Sequence, residues 1–195
     1  MDASAWDERY AATELVWSAG PNQFVENELT DLPPGRALDL ACGEGRNARW
    51  LAERGWEVTA MDFSPVAVEK GRSLHADIDW QVGDARTAQL PQDLDLVLIA
   101  YLQIRPEERT PVMRRAFEAL RPGGRFLVVG HDSTNIAEGT GGPQDPAVLY
   151  TGEAGLTDLP GVELQVVRAG RVARMVASDE GTARAWDALV HVIRS

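Results

Sequence analysis

The stretch DLACGEGRNA, residues 39–48, sets two glycines and the only cysteine of the chain between an apolar run and a basic residue. Gly43 and Gly45 permit a tight turn and let a ligand lie against bare backbone. A helix starting just after them offers its first N–H groups to that ligand. The run G-E-G-R-N-A fits the loose dinucleotide fingerprint, with Ala48 at the third small position. The same residues also serve as an ordinary strand-to-helix turn. Two further strand ends sharpen the reading. Asp62 closes WEVTAMD, where a carboxylate can accept both hydroxyls of a ribose; alternatively it is a solvated loop aspartate. In GDA, residues 83–85, Asp84 can accept the exocyclic amino group of adenine while the Ala85 N–H faces a ring nitrogen. Small residues and a carboxylate at three successive strand ends point to an adenosine-containing ligand. Asp39 bears on which one. A carboxylate inside the first strand can order the glycine turn and meet a cationic amino-acid end, directly or through water, but is an unwelcome neighbour for a pyrophosphate. This favours S-adenosylmethionine (SAM), which carries an ammonium and a sulfonium and no phosphate.

These positions need strand ends on one edge of a sheet, and the pattern supplies them. ALDLA (37–41) reads as a buried strand. A helix follows from about Arg46, with Ala48, Leu51 and Ala52 on one face and Gly55 as its stop. WEVTAMD (56–62) is a second strand, and Ser64 with Pro65 reads as an N-cap and first helical residue. IDWQV (78–82) and LDLVLIAYL (94–102) are the third and fourth strands. PEERTPVMRRAFEAL (106–120) is a helix ended by RPGG, and RFLVVG (125–130) is the fifth strand. Strands alternating with helices imply a parallel sheet covered on both faces. VELQVVRA (162–169) and RVARMVA (171–177), separated by Gly170, read as an antiparallel hairpin, and the last residues, 179–195, as a terminal helix. Residues 1–30 read as a helical cap, 31–178 as the catalytic core, and the whole of 1–195 as one domain. The Gly/Pro-rich loop between the fifth strand and VELQVV is long enough to be a lid.

Composition narrows the class. The net charge of −11 argues against a broad grip on nucleic acid or an anionic membrane. A lone cysteine, Cys42, excludes an intrachain disulfide and suits a reducing compartment. The polar, acidic start MDASAWDERY is no secretory signal, and no apolar run is long enough to span a bilayer, so a cytoplasmic protein is expected. With no cysteine pair or clustered histidines there is no metal signature. His131, ending the fifth strand beside Asp132, is the candidate general base for an oxygen or amine acceptor; alternatively it only shapes the loop. His75 reads as a helix-end surface residue, His191 as part of the terminal helix, and Cys42 as a small buried residue facing the glycine turn.

ALDLACGEGRNARWLAERGWEVTAMDFSPVAVEKGR, VGDA, LDLVLIAY and LRPGGRFLVVG together resemble, in order and spacing, the successive motifs of class I SAM-dependent methyltransferases over residues 36–130. GRNARWLAERGWEVTAMDFS resembles the tellurite-resistance TehB-type and thiopurine-methyltransferase-like branches, and WDERY followed by VW resembles their aromatic cap. The resemblance implies an α/β, Rossmann-like three-layer αβα sandwich with a seven-stranded sheet of order 3-2-1-4-5-7-6 and an antiparallel last strand. It implies that Asp39 and Ala41, Cys42, Gly43, Glu44 and Gly45 line the methionine end of SAM. Asp62 then takes the ribose, with Phe63 beside the adenine and Ser64 next in the same cofactor-binding turn. Asp84 and Ala85 hold the adenine, Ala100 sits near the sulfonium, and Trp6 and Tyr10 match the aromatic cap. The function it implies is methyl transfer to a small-molecule acceptor: a thiol, chalcogen oxyanion, hydroxyl or amine. The GTGGPQDP loop departs from the TehB pattern, so the acceptor does not carry over. An NAD(P)-dependent oxidoreductase would use Gly43, Gly45, Ala48 and Asp62 equally well, but leaves GDA without a task and has no room for a second substrate domain. A non-catalytic SAM-binding protein stays open. A nucleic-acid methyltransferase is disfavoured by charge and by AYLQ where adenine-N6 DNA enzymes carry an Asn/Asp-Pro-Pro-aromatic motif.

Overall fold

The computed structural model describes residues 3–12, 20–159, 161–178 and 181–195. Seven strands form one sheet of order β3-β2-β1-β4-β5-β7-β6. They are β1 (Arg36–Leu40), β2 (Glu57–Asp62), β3 (Asp79–Val82), β4 (Leu94–Ala100), β5 (Leu120–His131), β6 (Leu164–Ser178) and β7 (Gly181–Arg194). The order is the one expected, with β7 antiparallel to both of its neighbours, β5 and β6. The chain divides into two compact units, one up to Ile99 and one from Ala100 onward.

In the first unit, β1 pairs in parallel with β2 and β4, and β2 with β3. A strand paired on both sides and covered on both faces reads as a nearly continuous apolar run, with Asp39 the exception in β1. Leu38, Leu40, Leu96 and Leu98 are accordingly all fully buried. Short helices connect the strands, and their starts are chemically marked. Asn22 caps α2 (Gln23–Leu29) by accepting from the Phe24 N–H at 2.8 Å. Ser64 caps α4 (Pro65–Leu74) by accepting from the Ala67 N–H at 3.1 Å, with proline at the first helical position. The helix α1 (Ala3–Ala11) and α2 lie in the segment read as a cap; Val16 and Trp17, the VW of that reading, lie outside the described residues. The helix α3 (Arg46–Ala52) starts at the expected residue.

The second unit corrects the reading in two places. The segment 179–195, read as a terminal helix, forms none among its described residues: from Gly181 to Arg194 the chain is strand β7, and His191 is a buried strand residue with its Nε2 3.2 Å from Arg125. An internal strand bonded on both sides is buried on both faces, so ALVHVI shows no alternation and is indistinguishable by pattern from a buried helix. The second correction follows from the first. Residues 162–169 and 171–177 are not two strands of a hairpin but parts of the single strand β6, and the hairpin partner is β7, with Ser178 opposite Gly181. Gly170 has another use. A Cβ on Gly152, at the start of α7 (Gly152–Thr157), would lie 2.2 Å from the Gly170 nitrogen, so two backbones touch there. The helix α5 (Pro106–Glu118) packs Phe117 edge-to-face on Phe126 of β5, ring centroids 6.0 Å apart. Its partner across a buried ion pair is Asp158, whose carboxylate accepts from Arg109 Nε at 2.6 Å. The long loop after β5 contains a single helical turn, α6 (Asn135–Glu138), and a 3-10 turn at Pro146–Val148.

Candidate active site

The carboxyl end of β1 is held in a conformation that only a specific purpose justifies. Ala41 has φ 60, Gly43 φ 57 and Gly45 φ 73, all left-handed. For glycine this is free, but for Ala41 it carries strain, which concentrates at functional sites. Two buried carboxylates organise the turn. Asp62 accepts from the Gly43 N–H at 2.8 Å through one oxygen and from the Ser64 N–H at 2.9 Å through the other. It ties the β1 turn to the β2 turn and keeps one further lone pair on each oxygen. Burial raises its pKa, against those two amides and that of Phe63; the charge of Asp7 adds to the rise. Asp39 is fully buried, and neither of its oxygens has a hydrogen-bonding partner. Burial pushes it up to about 7, only partly offset by the Ala48 amide and the Arg46 charge. A buried carboxylate left without donors is costly. It fits a site completed by a cation.

The cap closes on the same turns. Ser64 Oγ donates to Asp7 Oδ1, and Lys70 Nζ donates to the Tyr10 carbonyl. Lys70 also lies 3.4 Å from Glu44, which is buried. Trp6 and Tyr10 stack on each other with ring centroids 5.5 Å apart. Phe63 is half-buried, and Ser64, which follows it in sequence, is fully buried. Cys42 is half-buried rather than fully so, and burial, Asp39 and Asp62 all raise its thiol pKa, which makes it a poor nucleophile at neutral pH. Asp84 is partly exposed and forks with Arg86, whose Nη2 donates at 2.7 Å; that contact holds its carboxyl below the usual range. Ala85 is buried beside it, and Ala100 ends β4 half-buried. Sequence reasoning missed Trp80. A Cβ on Gly45 would lie 2.2 Å from its ring, and so would one on Gly71 of α4. The indole is thus the packing floor under the glycine turn, a reason for Gly45 separate from ligand approach.

In the second unit, His131 ends β5 and pairs with Asp187 across the antiparallel ladder. Asp187 is fully buried and gathers three partners. Tyr101 Oη donates to it at 2.9 Å, Arg174 Nε at 2.7 Å, and His131 Nδ1 lies 3.4 Å from Oδ1. Burial alone would raise the Asp187 pKa; His131, Arg174 and Tyr101 together outweigh it and hold the carboxyl below the usual range. The rings of Tyr101 and His131 meet at 4.8 Å between centroids, and Tyr101 is itself left-handed, with φ 63. Gln103 fixes the strand end by accepting from the His131 N–H at 2.9 Å and donating to the Val148 carbonyl at 2.8 Å. Gly142 of the loop lies so close that a Cβ there would be 2.9 Å from His131 Nδ1. Asp187, Arg174 and Tyr101 escaped the sequence reading. Finding Asp187 needed the β5–β7 register, which a terminal helix does not have. His75 stands at the end of α4, half-buried. Among the described residues no group of His, Cys, Asp and Glu could hold a metal ion. No described helix is long and apolar enough to cross a membrane.

The strand order, the glycine turn after β1 and the carboxylate ending β2 make an open α/β sheet with a ligand-accepting turn at its carboxyl edge. Residues 37–124 match the family model described as a methyltransferase domain. The chain is 28% identical over 125 residues to demethylmenaquinone methyltransferase of Renibacterium salmoninarum, covering 62% of this chain and 53% of that protein. It spans about half the length of the curated relatives it matches. Among solved structures it is similar to TehB from Haemophilus influenzae, with a TM-score of 0.75 at 16% identity over 99% of this chain and 67% of that one. It is also similar to the N-methyltransferase NodS from Bradyrhizobium japonicum, solved in complex with S-adenosyl-L-homocysteine, with a TM-score of 0.74 at 17% identity over 98% and 97% of the two chains. At those identities the likeness is one of fold.

Proposed function

We propose that this protein binds SAM and transfers its methyl group to the oxygen or nitrogen of a small-molecule acceptor. The observation that carries the cofactor reading is Asp39, a fully buried carboxylate with no donor on either oxygen, under a left-handed glycine turn. A ligand with an ammonium group supplies the missing counter-charge; a pyrophosphate would add repulsion. The residues present fit the group. Asp39 with Ala41, Cys42, Gly43, Glu44 and Gly45 takes the amino-acid end. Asp62, with one lone pair per oxygen left after holding Gly43 and Ser64, takes the ribose hydroxyls. Phe63, Ser64, Asp84 and Ala85 take the adenine, Ala100 stands by the sulfonium, and Trp6 and Tyr10 close the cap.

Bound SAM supplies an electrophilic methyl group on a cationic sulfur. The chain's own residues then have two tasks: to align the acceptor and exclude water, and to receive the acceptor's proton. His131 does the second. Its neutral imidazole takes a proton from a hydroxyl or ammonium, and this need for a base separates oxygen and nitrogen acceptors from thiolates, which ionise unaided. The loop of residues 132–149, packed on His131 through Gly142, covers that step. The acceptor is not a nucleic acid, in keeping with the charge of −11. The test is a screen of phenols, amines, carboxylic acids and small thiols with methyl-labelled SAM, read by label in product and by mass. Turnover of an oxygen or nitrogen acceptor is the expected result. Binding of SAM with no turnover of any class would leave a SAM-binding protein without catalysis.

A further inference from the structure

The cluster around Asp187 does more than fill space. Three polar side chains from three separate segments converge on the buried carboxylate of Asp187 in β7: Tyr101 after β4, His131 at the end of β5 and Arg174 in β6. The sheet builds this arrangement. His131 and Asp187 are direct partners in the β5–β7 register, and Asp187 lies opposite Val172 in the β6–β7 register, so Arg174 stands two residues along the neighbouring strand. Residues two apart share a face. Oδ2 of Asp187 is committed to Tyr101 Oη and Arg174 Nε, whereas Oδ1 has Arg174 Nη2 only at 3.4 Å. The oxygen that faces His131 is the less occupied one. At 3.4 Å and off-axis, Nδ1 and Oδ1 are not hydrogen-bonded, and Nδ1 has no other partner. Such contacts tighten when a site is loaded.

We propose that Asp187 is the positioning residue for His131: it holds the imidazole proton on Nδ1 and so leaves Nε2 as the basic nitrogen, while Arg174 and Tyr101 fix the carboxylate and temper its charge. This rests on the reading of His131 as the base only for its use in catalysis; the tautomer is a property of the free protein. A neutral imidazole has one donor and one acceptor nitrogen. A carboxylate that only accepts selects the donor for the side facing it. The charged groups facing His131 are Asp187 from β7 and Arg174 from β6, with the Tyr101 phenol alongside and the neutral Gly142 over the ring. Arg174 keeps its charge, because Asp187 and Tyr101 outweigh the effect of its burial.

The experiment is nitrogen NMR on the free full-length protein with labelled histidine, with the His131 signals assigned by their loss in His131→Gln. Wild-type neutral His131 is expected with the proton on Nδ1 and a bare Nε2. In Asp187→Asn the Nδ1–H form is lost as the dominant tautomer. With the acceptor found by the screen, Asp187→Asn lowers kcat about a hundredfold or more with KM for SAM unchanged. A wild-type His131 protonated on Nε2 overturns the proposal, and needs no variant to fold. So does an Asp187→Asn variant whose His131 keeps the wild-type tautomer. SAM binding measured separately by calorimetry tells failure of this proposal from failure of the methyltransferase reading.

Discussion

Asp187 and His131 are directly opposed in the β5–β7 ladder, with Asp187 Oδ1 3.4 Å from His131 Nδ1. A base placed by strand register rather than by a loop has its position set by the β7 ladder, and here also by the Gln103 side chain that accepts from its N–H. His131→Gln is therefore expected to lower turnover of an oxygen or nitrogen acceptor about a hundredfold or more while leaving SAM affinity nearly intact. With a thiol acceptor the loss should be small. Full activity of the variant towards an alcohol or amine would reduce His131 to a structural residue.

Asp39 makes a prediction about stability and pH. Its pKa is raised from 3.8 to about 7 by burial. Between those values the folded chain holds a proton that the unfolded chain has released. The contribution is present below about pH 4 and is lost as pH rises through 7, by at most about 4 kcal/mol. Other carboxylates slope the opposite way, so the quantity to measure is the difference between wild type and Asp39→Asn. Denaturation at several pH values should show the variant gaining on wild type from pH 5 to pH 8 without ligand. SAM affinity should rise through the same range in wild type only, because the ammonium favours the charged carboxylate. A difference that stays flat with pH refutes this account of Asp39.

Gly45 answers to two demands, a φ of 73 and the Trp80 ring, 2.2 Å from where a Cβ would lie. Gly45→Ala should cost about 2–4 kcal/mol, from left-handed strain together with overpacking. The denaturant midpoint reads it. Adding Trp80→Leu should recover part of the loss in midpoint by removing the clash. No recovery would mean that backbone strain alone accounts for the glycine.

The loop of residues 132–149 is tied down at several points, through Asn135 and Glu138 to Trp186, through Glu138 to Arg171 and through Val148 to Gln103. Asn135 is buried, accepting from the Trp186 N–H at 2.7 Å and donating to the Gly141 carbonyl at 2.9 Å. Hydrogen exchange over this loop should slow when S-adenosylhomocysteine and an acceptor are both bound, as a closing lid requires. Protection confined to residues 39–62 would show that the loop takes no part.

The first unit was legible because its signals are local. Asp39, Asp62, Ser64 and the glycines all belong to turns whose chemistry is written within a few residues, and parallel strands buried on both faces read as short apolar runs. The second unit was legible in number but not in identity. Seven strands in the right order were expected, yet two of them were found in what is one strand, β6, while β7 was read as a helix. Periodicity cannot tell a doubly buried strand from a buried helix, and Ala185, Leu189 and Val190 carry no turn signal to decide it. The cost was Asp187, whose partner is 56 residues away in sequence and visible only through register. Trp80 was hidden for a similar reason: its contact with Gly45 and Gly71 is tertiary.

The central claim is that the glycine turn and its two carboxylates bind SAM, and calorimetric titration tests it most directly. The full-length protein should bind SAM and S-adenosylhomocysteine saturably and NAD not at all. In Asp62→Asn, which keeps the volume of the side chain but not its charge, SAM affinity should fall at least tenfold, since hydrogen bonds to a charged group are worth about 1.5–3 kcal/mol each. Asp62→Ala should also lower the melting temperature, because it strips the Gly43 and Ser64 N–H groups of their acceptor. Binding of NAD in place of SAM, or SAM affinity unchanged in Asp62→Asn, would contradict the account.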